Sequence, residues 1–177
     1  MNRNVGWLSN NGYVKGGMVF VLLGFLFAGC ATAPATFDPN IKGPQMIVEP
    51  ACVNLNVSTV MGTPIVFKGK GFQPGDSVFI ELLGVKKGGK DVKVPIADAE
   101  VGPNGEFTAP VSTLAKATEL LRATLGSNAK METTIILSEP TIPPGVYTAK
   151  AVSMDSDKTA ESKLTLNPPS GWGNFKD

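Results

Sequence analysis

From residue 46 onward the apolar positions recur at every second residue in short runs, and Gly, Pro and Asn-Gly steps separate the runs. That period belongs to strands with one buried face, so the chain is expected to be mostly β. Residues 46–48 and 53–57 are the first expected strands, interrupted by Glu49-Pro50, and residues 64–70 the next. In 77–83, Val78, Ile80 and Leu82 fall on one face and Phe79, Glu81 and Leu83 on the other. Lys86-Lys87-Gly88-Gly89-Lys90 reads as a hairpin tip, because glycines accept the positive backbone angles of tight turns. Val92, Val94 and Ile96 alternate with Lys93 and Pro95, and the proline, which has no N–H to donate, points to a sheet edge. Pro103-Asn104-Gly105 turns the chain into Glu106-Phe107-Thr108. Residues 131–137, 146–152 and 162–166 complete the strands, with Pro143-Pro144-Gly145 as a turn before the closing pair.

One stretch departs from period two. Between 112 and 126, Leu114, Ala117, Leu121 and Leu125 recur every three or four residues, while Lys116, Glu119 and Arg122 fall elsewhere around the cylinder. This predicts a short helix over about 113–125, capped by Ser112 or Thr113 and closed by Gly126. Its apolar face would cap the open end of a β-structure or dock a partner.

Ahead of the strands, residues 18–30 read Met-Val-Phe-Val-Leu-Leu-Gly-Phe-Leu-Phe-Ala-Gly-Cys, uncharged and apolar, preceded by Arg3 and Lys15 and no acidic residue. Positive flank, apolar core and small residues before a break are the order of a secretory signal peptide, and the run is short for a bilayer span of roughly 20 residues. Phe27-Ala28-Gly29-Cys30 resembles the lipobox of bacterial lipoproteins, with Phe27 where leucine is usual. The resemblance implies cleavage after residue 29 and attachment of diacylglycerol and fatty acyl chains such as palmitate to Cys30. At about 0.8 kcal/mol per buried methylene, several chains would hold a small domain on a membrane. It also implies the outer membrane, periplasmic face or cell surface, because Ala31 rather than aspartate follows the cysteine. Residues 31–44 contain three prolines and many small residues, so 30–45 is expected to be a lipidated cysteine plus tether.

The chain carries 16 basic and 15 acidic residues, a formal charge of +1 that becomes −1 once the two cations Arg3 and Lys15 are removed. Nothing in that balance calls for nucleic acid. There is no histidine, which removes the commonest general base and metal ligand. With two cysteines in all and Cys30 assigned to lipid, Cys52 is left without a mate and is expected to be a small buried hydrophobe in a fold without disulfides. Neither a cofactor nor a metal site is expected. Asp155 and Asp157 fall short of the six to eight oxygens calcium takes and read as a solvated hairpin tip. Lys86, Lys87 and Lys90 read as a solvated turn. Glu81, Glu100, Glu106 and Glu119 are the carboxylates an acid–base pair would need, and no spacing sets two of them around a cleft.

Three motifs line up along the domain: Lys68-Gly-Lys-Gly-Phe-Gln-Pro-Gly-Asp-Ser-Val-Phe-Ile80, Pro103-Asn-Gly-Glu-Phe107 and Pro143-Pro-Gly-Val-Tyr-Thr-Ala-Lys-Ala151. Together they resemble bacterial immunoglobulin-like domains of the TIG type. That implies an immunoglobulin-like antiparallel β-sandwich over 46–166 with one inserted helix, and Tyr147 facing the core with its hydroxyl turned to backbone. Residues 167–177 are expected to be a flexible tail, a loose end in which Trp172 and Phe175 lie among Pro and Gly, the alternative being an aromatic anchor for another protein. The expected function is a non-catalytic, lipid-anchored binding or scaffolding subunit of an envelope assembly, such as a secretion, pilus or transport complex. The alternative is a surface adhesion or carbohydrate-binding module, disfavoured because Trp7 and Trp172 are the only tryptophans and both lie outside the domain.

Overall fold

In the computed structural model the described residues are 35–137 and 139–169, with the side chain of Leu125 left aside. The signal run, Cys30, Trp172 and Phe175 lie outside them. Ten strands dominate the described residues. β1 (Gln45–Glu49), β3 (Val66–Lys70) and β6 (Glu106–Pro110) form a three-stranded antiparallel sheet in the order β1-β3-β6. β2 (Cys52–Asn54), β4 (Ser77–Lys87), β5 (Lys90–Glu100), β9 (Gly145–Ser153) and β10 (Thr159–Asn167) form a five-stranded sheet in the order β2-β10-β9-β4-β5, antiparallel except where β2 runs parallel to β10. β7 (Ala123–Ser127) and β8 (Thr133–Leu137) pair only with each other.

The inward sides of the two larger sheets share one core, including Val48, Phe67 and Phe107 from one and Val78, Ile80, Leu82, Ala149, Ala151 and Leu164 from the other. The alternation read from 77–83 is therefore real: Val78, Ile80 and Leu82 are buried, and Phe79 stands on the outer face. Gly88 and Gly89 form the two-residue β4–β5 turn, both at positive φ (57° and 78°), and β5 is a sheet edge as Pro95 implied.

The two glycine-phenylalanine motifs meet across the three-stranded sheet. Gly69 pairs with Phe107 in register, and its missing side chain leaves room for the Phe107 ring, which meets the Phe72 ring edge-on at 5.1 Å. The N–H of Phe72 donates to the Gly105 carbonyl at 3.1 Å. Gly105 holds φ 75° with the Phe72 carbonyl 2.8 Å from where a Cβ would stand, so only glycine fits there. The Tyr147 hydroxyl donates to the Pro143 carbonyl at 2.6 Å, as expected of a tyrosine turned back to its own backbone.

Two local expectations are corrected. Residues 53–57 do not continue as a strand: β2 stops at Asn54, and α1 (Val57–Gly62) follows, capped by the Asn56 side chain accepting from the Thr59 N–H at 2.7 Å. The three-turn helix over 113–125 is also shorter than expected. α2 (Thr113–Ala115) runs into a π-helical turn over Lys116–Leu120, and Arg122 then takes φ 51° just ahead of β7. Leu120 and Leu121 are buried, so the apolar spacing is used. Gly126, however, pairs with Thr134 in a hairpin instead of closing a helix, and Leu114 is exposed. Pairing with β8 satisfies the backbone that a longer helix would have satisfied internally. Inside this segment Lys116 is buried, and its Nζ donates to the Thr63 carbonyl at 2.5 Å.

Candidate functional site

β5 has a free side. On the other, a bulge near Ile96 resets its pairing with β4, so that Pro95 sits opposite Glu81 while Ala97, Asp98, Ala99 and Glu100 sit opposite Ile80, Phe79, Val78 and Ser77. After the reset, Ala97 and Ala99 are half-buried and lie opposite buried residues, while Asp98 and Glu100 are exposed on the outer face. Two successive inward alanines leave the space that larger side chains fill elsewhere in the sheet. A cleft of about 590 Å³ opens there, walled by Ala97 and Ala99 on one side and by Pro110, Ser112 and Ala115 on the other. Its rim carries Phe79, Met154, Asp98 and Glu100.

Asp76 fixes one end of this cleft. It is buried, and its carboxylate accepts from the Ser153 hydroxyl through Oδ2, from the Ser156 hydroxyl at 2.8 Å, and from the N–H groups of Asp155 and Ser156 at 3.1 and 3.2 Å. The Ser77 N–H donates to Oδ1 at 2.7 Å. Donation by Ser153, reinforced by Ser156 and these N–H groups, outweighs the opposing effect of burial and holds the Asp76 carboxyl far below the usual carboxylate range. With the Met154 N–H bonded to the Ser77 carbonyl at 2.9 Å, the β9–β10 turn is pinned to the start of β4, and Met154 stands at the rim.

The side chains singled out from sequence are dispersed. Glu81 pairs with Lys93 at 3.6 Å, Glu106 accepts from Asn104 at 2.6 Å, and Glu119 accepts from the Thr118 hydroxyl at 3.1 Å. Of the four glutamates only Glu100 lines the cleft. Lys86 pairs with Asp91 at 2.7 Å, and Lys86, Lys87 and Lys90 are exposed around their turn. Asp155 and Asp157 are exposed, as a solvated tip requires, yet the backbone beneath them is held by Asp76. Among the described residues no three His, Cys, Asp or Glu side chains gather as a metal site, and no helix is long and apolar enough to cross a membrane.

Cys52 corrects a further expectation: it is half-buried and disulfide-bonded rather than an unpaired buried hydrophobe. Because Cys30 is the only other cysteine of the chain, a bond within the chain and a lipid on Cys30 would compete for one sulfur.

Sequence reasoning missed Asp76, whose partners lie about 80 residues away and leave no local trace. Asp98 had a readable signal in the alternation Ala97-Asp98-Ala99-Glu100, small residues inward and carboxylates outward.

No family model and no curated protein matches the chain. Among solved structures, macromomycin is similar at a TM-score of 0.38 and 17% identity over 70% of this chain and 99% of that one. A β-glucosidase from Listeria innocua in complex with glucose is similar at 0.35 and 13% identity, over 71% of this chain and 16% of the other. Likenesses this distant carry no functional argument.

Proposed function

We propose that the chain is a non-catalytic, lipid-anchored protein of the bacterial envelope, attached to the outer membrane through Cys30, and a binding or scaffolding subunit of a membrane-associated assembly. The observation that carries this reading is the order of segments before β1: cations, an uncharged apolar run, Ala28-Gly29-Cys30, then a proline-rich stretch. The domain that follows is read as an immunoglobulin-like β-sandwich. That reading is supported by a five-stranded and a three-stranded sheet with a common core, and by the Tyr147 hydroxyl bonded four residues upstream. A free sheet edge beside a cleft supports binding over a purely passive spacer.

Growth with a lipoprotein signal-peptidase inhibitor tests the anchor. A precursor larger by the signal peptide accumulates in treated cells, and the mature protein carries the added mass of acyl chains on Cys30. A mature protein without acyl mass, its Cys30 bonded to Cys52, refutes the lipid. Crosslinking in intact cells, followed by purification from solubilised membranes, tests the binding role. A stoichiometric envelope protein is expected, and recovery of the chain alone refutes it.

A further inference from the structure

We infer that the cleft along β5 receives an extended, basic segment of a partner protein, which adds as a strand to residues 96–100 of this edge. This deepens the binding role proposed above and rests on it. The backbone comes first. β5 ends its sheet, and no backbone group of residues 96–100 is bonded outside the pairing with β4. The usable edge is bounded on both sides: Pro95 has no N–H to offer, and the N–H of Val101 is already given to the Asp76 carbonyl at 2.8 Å. An edge of this kind binds an extended peptide through main-chain hydrogen bonds, with alternate side chains setting specificity.

The side chains then say what kind of strand fits. Asp98 and Glu100, two residues apart on one face and so about 7 Å from each other, have neither a hydrogen bond nor an ion pair within the described residues. Several other carboxylates are engaged, as in Glu49 with Lys68, Asp91 with Lys86 and Glu81 with Lys93. No lysine or arginine among the described residues lines the cleft, and the two charged side chains that do, Asp98 and Glu100, are both acidic. Phe79, opposite Asp98 and 43% exposed, adds an aromatic face on which a cation can rest. On the inner side the walls are Ala97, Ala99, Ala115 and Pro110, which leave room for small or branched apolar side chains. The complementary strand therefore alternates Lys or Arg outward with Ala or Val inward. A second copy of this chain does not fit. With Pro95 blocking one end, antiparallel edge-to-edge pairing centred on residues 96–100 sets Asp98 directly opposite its own counterpart, and like charges directly opposite are destabilising.

The test uses the full-length, isotope-labelled protein in detergent micelles and three blocked nonapeptides: one alternating Lys and Val, one alternating Glu and Val, and the Lys-Val peptide N-methylated at every second residue. The Lys-Val peptide is expected to shift the amide signals of residues 96–101. The Asp98→Asn/Glu100→Gln double variant, which changes charge but not shape at two exposed positions, should keep its thermal midpoint and bind about 2- to 30-fold more weakly, the sum of two exposed ion pairs. N-methylation should abolish the shifts, because it removes strand pairing and leaves the charge. Equal binding of the Glu-Val peptide, undiminished binding of the N-methylated peptide, or unchanged affinity in the double variant overturns the inference. If the envelope protein crosslinked in cells is recovered equally well with the double variant, the binding role stands and the cleft assignment falls. If the Lys-Val peptide binds as described but no partner is recovered from cells, the cleft assignment stands and the role in an assembly falls.

Discussion

Replacing Gly69 by alanine adds one methyl group where the two turn motifs cross, and its cost can be worked from the geometry. The new Cβ would stand 2.5 Å from Cζ and 2.7 Å from Cδ1 of Phe107, and closer still to Cε1, distances that real contacts do not reach. The ring cannot simply swing away, since Phe107 is buried and its ring is held edge-on by Phe72. Forcing a methyl into a packed site of this kind costs about 1–3 kcal/mol. Gly69 does not have a positive φ, so alanine also gains about 0.4–1 kcal/mol by restricting the unfolded chain. The net expectation is a loss of about 1–2 kcal/mol, or a fall in Tm of about 3–10 °C for a domain of this size. Urea unfolding followed by far-ultraviolet circular dichroism should show a lower midpoint at unchanged slope. The cycle with Phe107→Leu isolates the cause: the double variant should be more stable than the sum of the singles by at least about 0.5 kcal/mol. A Gly69→Ala protein as stable as the parent, or strict additivity in the cycle, would refute the account of Gly69 as the seat of the Phe107 ring.

Asp76 predicts a pH dependence. Its carboxyl titrates far below the ordinary range in the folded chain and at the ordinary value in the unfolded chain. The unfolded state therefore binds the proton first, and the stabilisation, complete above about pH 5, is lost as pH falls through and below about 4. Unfolding midpoints between pH 2 and 6 should fall more steeply for the parent than for Asp76→Asn; parallel curves would remove Asp76 as the cause. Lys116→Met strips the Thr63 carbonyl of its donor and should cost about 1–3 kcal/mol in denaturant unfolding, whereas a neutral outcome would mean that water replaces the ammonium. Tyr147→Phe loses the bond to the Pro143 carbonyl and should cost about 0.5–1.5 kcal/mol, with the cleft's peptide binding unchanged because Tyr147 does not line it.

Much of the β framework was legible in the sequence because its causes are local. Period two in 77–83 and 146–152 follows from having one buried face, and Gly88-Gly89 and Asn104-Gly105 follow from steric limits on φ that act within a turn. Pro95 announced a sheet edge for the same reason, since it lacks the donor a central strand needs. Locality also explains the failures. The helical spacing of 112–121 is genuine, and Leu120 and Leu121 are buried as it demands. What ends the helix at Arg122 is the competing pairing of Ala123–Ser127 with Thr133–Leu137, and that competition is settled by tertiary packing rather than by spacing. The capping signal at Asn56 was present too, but it lies within 53–57, where Val53, Leu55 and Val57 alternate and read equally well as a continued strand.

The binding features divide the same way. By itself the sequence determined that the chain is mostly β and that the strand carrying Pro95 is a sheet edge, and it placed a run that resembles a lipoprotein leader before β1. All of these depend only on residue order over a dozen positions or fewer. Tertiary structure alone decided that a cleft opens beside that edge, because it arises from two successive alanines facing Pro110 and Ala115 on other elements. It alone brought the carboxylate of Asp76 to Ser153 and Ser156, nearly eighty residues on, where a buried charge is satisfied by donors that no local pattern connects to it.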